Sequence, residues 1–197
     1  AVAEGHGDRP AILTDSGIFT YRELLARANR IANVLTDAGI VPGNRVLLRG
    51  YNGPELYSAW LAVMKTGAIA VTTMPMLRAP ELAAVIGKAK PVVALSDHRL
   101  LGELAGVAAA GGVGSVIAWG NGDLESRTAK ASDRFANADT ASDDVSLLAF
   151  TSGTTGQPKA CMHFHRDVLA MADVVARHLL KTGPDDVYAG SPPLGFT

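Results

Sequence analysis

The chain has 197 residues, of which 48% are hydrophobic, and a net charge of -1. That length and balance fit a globular protein with one substantial core and exclude a disordered or purely electrostatic one. The near-neutral pI of 6.6 and the lack of a basic stripe with interleaved aromatics exclude a nucleic-acid footprint. The longest apolar stretches, such as Ala68 to Met76, fall well short of the roughly 20 residues a membrane span requires. A single cysteine, Cys161, cannot form an intramolecular disulfide, and no charged-then-apolar leader opens the chain; both features point to a reducing, cytoplasmic setting. The chain starts at Ala1 and stops at Thr197, directly after Ser191-Pro192-Pro193-Leu194-Gly195-Phe196, so a partial domain is expected.

In chain order, Thr20 with Glu23 three positions on forms a capping box that opens a helix, closed by Gly39 after Ala38. Leu24, Ala28, Ile31 and Leu35 recur at helical spacing and mark its buried face. A short strand is expected from Arg45 to Leu48. A second helix follows from Pro54 to Thr66, with Leu56, Trp60 and Met64 on one face and Gly67 at its end. The segment Ala68–Met74 reads as a strand stopped by Pro75, and Pro80–Ala89 as a helix with proline in its first turn. Pro91–Leu95, Leu100–Ala110 and Ser115–Trp119 continue the alternation as strand, helix and strand. Alternating strands and helices are the signature of parallel β-α-β units, so the expected fold class is α/β: a layered, largely parallel sheet with helices on both faces.

From Gly120 to Asp144 the sequence turns polar, with a helix-prone stretch from Asp123 to Asn137, and reads as a surface excursion. Val145–Phe150 is expected to be a strand and Cys161–Phe164 another. Asp167–Leu180 reads as a helix with Leu169, Val174 and Leu180 facing inward, and Asp186–Ala189 as a last strand.

The chemistry is concentrated directly after the Val145–Phe150 strand, in Thr151-Ser152-Gly153-Thr154-Thr155-Gly156-Gln157-Pro158-Lys159. Four of these nine residues carry a hydroxyl, two are glycine and one is a cation. Glycines let backbone N–H groups approach an anion closely, the hydroxyls donate further hydrogen bonds, and the lysine adds a mobile positive charge; such a loop suits a polyphosphate. It is not a Walker P-loop. Only two residues separate Gly153 from Gly156, and Pro158 precedes Lys159, where a Walker loop needs four spacers and Gly-Lys-Ser/Thr leading into a helix.

The string from Thr151 to Lys159 resembles, residue for residue, the phosphate loop of the adenylate-forming enzymes, the superfamily of acid–CoA ligases, luciferases and nonribosomal-peptide adenylation domains. Trp60-Leu61-Ala62-Val63-Met64-Lys65-Thr66-Gly67-Ala68 resembles an early packing motif of that family. Phe19-Thr20-Tyr21-Arg22-Glu23-Leu24 and Gly7-Asp8-Arg9-Pro10-Ala11 are similar to its N-terminal segments, so the resemblance runs along essentially the whole chain. It implies that Thr151, Ser152, Gly153, Thr154, Thr155, Gly156 and Lys159 hold the phosphates of ATP while a carboxylic acid attacks the α-phosphate, giving an acyl-adenylate and pyrophosphate. In an acid–CoA ligase the acyl group then passes to coenzyme A, with ATP, Mg2+ and coenzyme A as co-substrates.

Met162-His163-Phe164-His165-Arg166 matches a family stretch in which the histidine lies near the loop; His165 either stands near the ATP site or simply starts the following helix. Ala160 replaces the glycine usual after the loop lysine, which a negative φ tolerates. Pro192-Pro193-Leu194-Gly195-Phe196-Thr197 falls where the family begins its acid-binding motif, which makes Phe196 either a wall of the acid pocket or an ordinary core aromatic. His163 to Asp167 together with Pro193 to Phe196 looks most like ligases for benzoate or 2-aminobenzoate. The resemblance further implies that residues 1–197 form an incomplete N-terminal domain, with the adenine, ribose and magnesium contacts and a mobile C-terminal domain downstream, and that the isolated chain is inactive. Two other readings stay open: an amino-acid adenylation domain serving a carrier protein, and a silent scaffold of the same fold.

Overall fold

The computed structural model describes residues 1–151, 158–190 and 192–195. It opens with an antiparallel hairpin, β1 (Pro10–Thr14) and β2 (Gly17–Thr20), which the sequence reading had passed over. Helix α1 (Tyr21–Asp37) follows at once. Its capping box is formed: the Glu23 N–H donates to Thr20 Oγ1 at 3.2 Å, and the Thr20 N–H donates to Glu23 Oε2 at 2.8 Å. The helix ends where Gly39 adopts φ +86°, a conformation that glycine adopts without a Cβ clash.

The main sheet is built from β3 (Arg45–Arg49), β4 (Ile69–Thr73), β5 (Val93–Asp97), β6 (Ser115–Trp119), β7 (Val145–Thr151) and β8 (Lys159–Phe164), in the order β6-β5-β3-β4-β7-β8. Every pairing is parallel except β7 with β8. Helices α2 (Pro54–Lys65), α3 (Ala79–Ala89), α4 (Leu101–Ala110) and α5 (Asp123–Thr128) make the crossovers, with a 3-10 turn at His98–Leu100 leading into α4.

Side chains alternate across a strand, and β3 shows what that alternation builds. Val46 and Leu48 point to one face, where they join Ile31 and Leu35 of α1, Leu56 and Val63 of α2 and Leu124 of α5. Leu47 points to the other, with Val71, Leu82 and Ile86 of α3 and Leu104 and Ala108 of α4. The layered α/β fold with helices on both faces is therefore the one observed. Fully burying each of these Leu, Ile and Val side chains contributes roughly 1.5–3 kcal/mol, so the two cores hold the sheet between them.

Close packing at the end of β3 leaves no room for a side chain at position 50. A Cβ on Gly50 would overlap the indole ring of Trp119, which is buried at the end of β6. Gly50→Ala is expected to destabilise the fold by about 1–3 kcal/mol, the usual cost of overpacking, read as a lower midpoint in urea unfolding.

Besides the hairpin and shifts of two residues at the ends of β5 and β8, three further elements differ from the sequence expectation. The helix expected within Asp123–Asn137 stops at Thr128. The strap that follows is irregular, and α1 pins it: Asn29 Nδ2 donates to Asp133 O at 2.7 Å, and Asn33 Nδ2 donates to Ser132 O and Arg134 O at 2.9 and 3.0 Å. Side-chain amides thus satisfy three carbonyls of the strap, where a helix would use its own N–H groups.

The second difference is the final helix. It begins earlier than expected, as α6 (His165–Ala172), and widens into a π-type helix over Asp173–Leu179. Leu169, Val174 and Leu180 do not face inward; they are exposed by 71%, 56% and 53%. This helix follows the edge strand β8, and no described element covers its apolar side. The third is Asp186–Ala189, which forms no strand because it has no ladder partner.

Candidate phosphate-loop site

The loop expected to hold phosphate is closed by a hairpin. Strands β7 and β8 run antiparallel, with Ala149 opposite Cys161, Phe150 opposite Ala160 and Thr151 opposite Lys159. Thr151 and Lys159, the two ends of the motif, are thus cross-strand neighbours. Ser152, Gly153, Thr154, Thr155 and Gly156 lie outside the described residues. Lys159 is exposed at the mouth of the loop.

The hairpin's base is stapled where buried Ser146 donates through Oγ to His163 O at 3.1 Å. Its outer end leaves the parallel sheet: β7 is in register with β4 only at Ala70–Leu147 and Val71–Leu148. Beyond that, Phe150 packs against the α3 and α4 core, and Lys88 Nζ of α3 donates to Pro158 O at 3.0 Å. The loop therefore starts and ends on a framework held from both sides.

His165 and Lys159 stand at opposite ends of β8. His165 is the first residue of α6, its backbone N–H donating to Asp144 O at 3.1 Å, and it lies beyond the far end of β8. Five to six residues at a strand rise of about 3.4 Å put it roughly 17–20 Å along the chain from Lys159. Phe196 lies outside the described residues.

At the carboxyl ends of β3, β4 and β5 the structure assembles groups that the sequence reading missed. Open α/β sheets place ligands in this crevice, where neighbouring strands lead away in opposite directions. Here β3 is flanked by β4 on one side and β5 on the other. Arg49, at the end of β3, is 1% exposed. Its Nη1 donates to Met74 O at 2.9 Å, and its Nη2 donates to Pro75 O at 2.9 Å and Leu77 O at 2.7 Å. Burial draws its pKa down, but a guanidinium remains charged throughout the working range. The only signal in the sequence was an arginine at the end of an apolar run.

Asn52, two residues beyond Gly50, contacts the segment that approaches Phe196. Its Nδ2 donates to Pro192 O at 2.9 Å, and its Oδ1 accepts from the Leu194 N–H at 2.6 Å. Beside it, a cavity of about 270 Å3 is lined by Leu48, Leu56, Tyr57, Trp60, Thr72, Leu147 and Leu194. The buried Thr72 Oγ1 in that lining has no hydrogen-bond partner among the described residues.

Asp97, at the end of β5, is buried and paired with Arg99, whose Nε and Nη2 donate to its carboxylate at 2.9 and 2.6 Å. The Arg99 guanidinium also stacks 4.6 Å from the Tyr51 ring centroid. Burial alone would raise the Asp97 pKa. The hydrogen bonds from the Arg99 side chain and backbone, with the charges of Arg99 and His98, outweigh it and hold the carboxyl below its ordinary value. A depressed carboxylate stabilises the fold above its unfolded pKa of about 3.9, and that contribution is lost as pH falls through the folded value. Asp97→Asn is expected to lose about 1 kcal/mol near pH 7 and to show a shallower acid limb below about pH 4, measured as urea midpoints across that range.

An open, mostly parallel α/β sheet with helices on both faces defines the class of layered α/β domains, here with the hydroxyl-, glycine- and lysine-bearing string joining the two strands of a hairpin. The chain belongs to the AMP-binding enzyme family, which matches it over residues 1–197. It is 30% identical to the benzoate–CoA ligase of Thauera aromatica, over 98% of this chain and 37% of that protein. It is 33% identical to a 3-hydroxybenzoate–CoA/4-hydroxybenzoate–CoA ligase of the same organism, over 94% of this chain and 37% of that protein. The crystal structure of ATP-bound MatB from Rhodopseudomonas palustris superposes with a TM-score of 0.86 at 32% identity, over 96% of this chain and 38% of that one. The chain thus spans a little over a third of the length of these relatives.

Proposed function

We propose that this chain is the N-terminal part of an ATP-dependent acid–CoA ligase. In the first half-reaction a carboxylate oxygen attacks the α-phosphorus of ATP and pyrophosphate leaves, giving an acyl-adenylate. In the second the thiol of coenzyme A attacks the acyl carbon, AMP leaves, and the thiol proton is released. The observation that carries this reading is the Thr151–Lys159 string on the β7–β8 hairpin, with its two ends paired. In it Ser152, Gly153, Thr154, Thr155 and Gly156 supply donors to the β- and γ-phosphates, with Thr151 at the loop's entry, and Lys159 supplies positive charge as the phosphates separate.

Magnesium enters as the counter-ion of ATP. Among the described residues no group of three or more His, Cys, Asp or Glu side chains could hold a metal, and no step here runs through one. No helix among the described residues is long and apolar enough to cross a membrane. The setting is proposed to be cytoplasmic, on the single cysteine of the chain. Nucleic acid has no part in the reading.

The acid is proposed to be aromatic, of the benzoate or 2-aminobenzoate type, with Phe196 as a wall of its pocket. Support comes from the residues around His163 to Asp167 and Pro193 to Phe196, and from relatives named as benzoate and hydroxybenzoate ligases. The test is a panel of aryl, aliphatic and amino acids offered with ATP, magnesium and coenzyme A to the longer polypeptide that contains this chain. Aryl-CoA formation is expected. Pyrophosphate release without a CoA thioester would instead favour the carrier-protein adenylation domain, and no release would favour the silent scaffold. The 197-residue chain alone is expected to form no acyl-CoA.

A further inference from the structure

We propose that Asn52 is a positioning residue for the acid pocket, holding the Pro192–Gly195 segment in place by a two-point clamp. Pro192 and Pro193 have no N–H, so the first amide this segment can use is that of Leu194, and it donates to Asn52 Oδ1 at 2.6 Å. The same carboxamide donates through Nδ2 to Pro192 O at 2.9 Å. One planar side chain thus grips two backbone groups two residues apart, which fixes both the place and the rotation of the segment.

The clamp has a counterpart on the other side of the turn. Gly195 lies against the end of β4: a Cβ there would sit 2.6 Å from Thr73 O and 2.9 Å from Thr73 C, both backbone atoms that cannot yield cheaply. The segment is therefore wedged between the β3–α2 link and the last peptide of β4, both rooted in the core. Gly195 immediately precedes, in the sequence, the residue proposed as a wall of the acid pocket, Phe196. The asparagine carboxamide offers a donor and an acceptor on one short, uncharged plane, and glutamine would carry the same pair one methylene further out. The functional part of this inference rests on Phe196 being a wall of the acid pocket; the clamp itself does not.

The experiment uses the longer polypeptide carrying Asn52→Ala or Asn52→Asp. By amide hydrogen exchange, Leu194 is expected to exchange at least tenfold faster in N52A, while N52D, which keeps the acceptor but sets a carboxylate oxygen against Pro192 O, falls between N52A and wild type. Unchanged exchange at Leu194 in N52A would overturn the clamp whatever the enzyme does. In steady-state kinetics of acid-dependent pyrophosphate release, the KM for the acid is expected to rise roughly tenfold in N52A, the effect of losing about one well-placed hydrogen bond. The KM for ATP is expected to change less than twofold, and the melting midpoint to hold. Equal rises in both KM values, or an unchanged KM for the acid, would overturn the positioning role. Absence of acid-dependent release in the wild type would instead remove the proposed function while leaving the exchange result standing.

Discussion

Arg49→Met is expected to lower the midpoint of urea unfolding by about 1.5 M, a loss of about 3 kcal/mol at an m-value near 2 kcal/mol/M. Methionine roughly keeps the volume of the buried stem but removes three hydrogen bonds, to Met74 O, Pro75 O and Leu77 O. Bonds from a charged donor contribute about 1.5–3 kcal/mol each. The sum overshoots, because the wild type also bears the cost of burying a charge and leaves Nε without a partner among the described residues. The net remains destabilising because the turn from β4 into α3 loses the donor that organises its carbonyls. Arg49→Lys should recover only part of the loss, since one ammonium cannot reproduce the planar fork that reaches three acceptors. A midpoint unchanged in Arg49→Met would show that the turn holds itself.

Lys159→Ala is expected to reduce acid-dependent pyrophosphate release by roughly 10²–10³-fold in kcat, the usual scale for removing one preorganised group that meets developing charge. Lys159 stands at the mouth of the loop, opposite Thr151. It is exposed and starts an edge strand, so the same substitution should leave the melting midpoint nearly unmoved. That contrast separates a phosphate contact from a structural one. A KM for ATP that rises while kcat holds would mean that Lys159 binds ground state and transition state equally. Full activity in the variant would remove Lys159 from the site.

Legibility in the sequence followed the physics of each feature. Local rules sufficed where one element determines its own form. Thr20 and Glu23 cap α1 as expected, the strand from Ser115 to Trp119 has its expected bounds, and the alternation of β and α dictated a parallel layered sheet. The Thr151–Lys159 string stood out because its hydroxyls, glycines and lysine are contiguous in the sequence.

Features made between distant segments were not legible. Asn52 meets Pro192 and Leu194 across 140 residues or more, and Arg49 serves carbonyls 25 or more positions away; neither leaves a periodic trace. The histidine at 165 is readable as a helix start, but its distance from Lys159 follows only from Lys159–Phe164 running as one extended strand. Apolar spacing over Leu169, Val174 and Leu180 correctly marked a helix. It could not say whether anything covers that face, because periodicity reports a pattern of side chains and not a partner.

The most direct measurement is isotope exchange between pyrophosphate and ATP, catalysed by the longer polypeptide and dependent on an added carboxylic acid. Exchange that requires an acid, responds most strongly to benzoate-type acids and disappears in Lys159→Ala is the predicted result. Exchange absent with every acid offered, or unaffected by Lys159→Ala, would contradict an acid-activating site built on the Thr151–Lys159 loop.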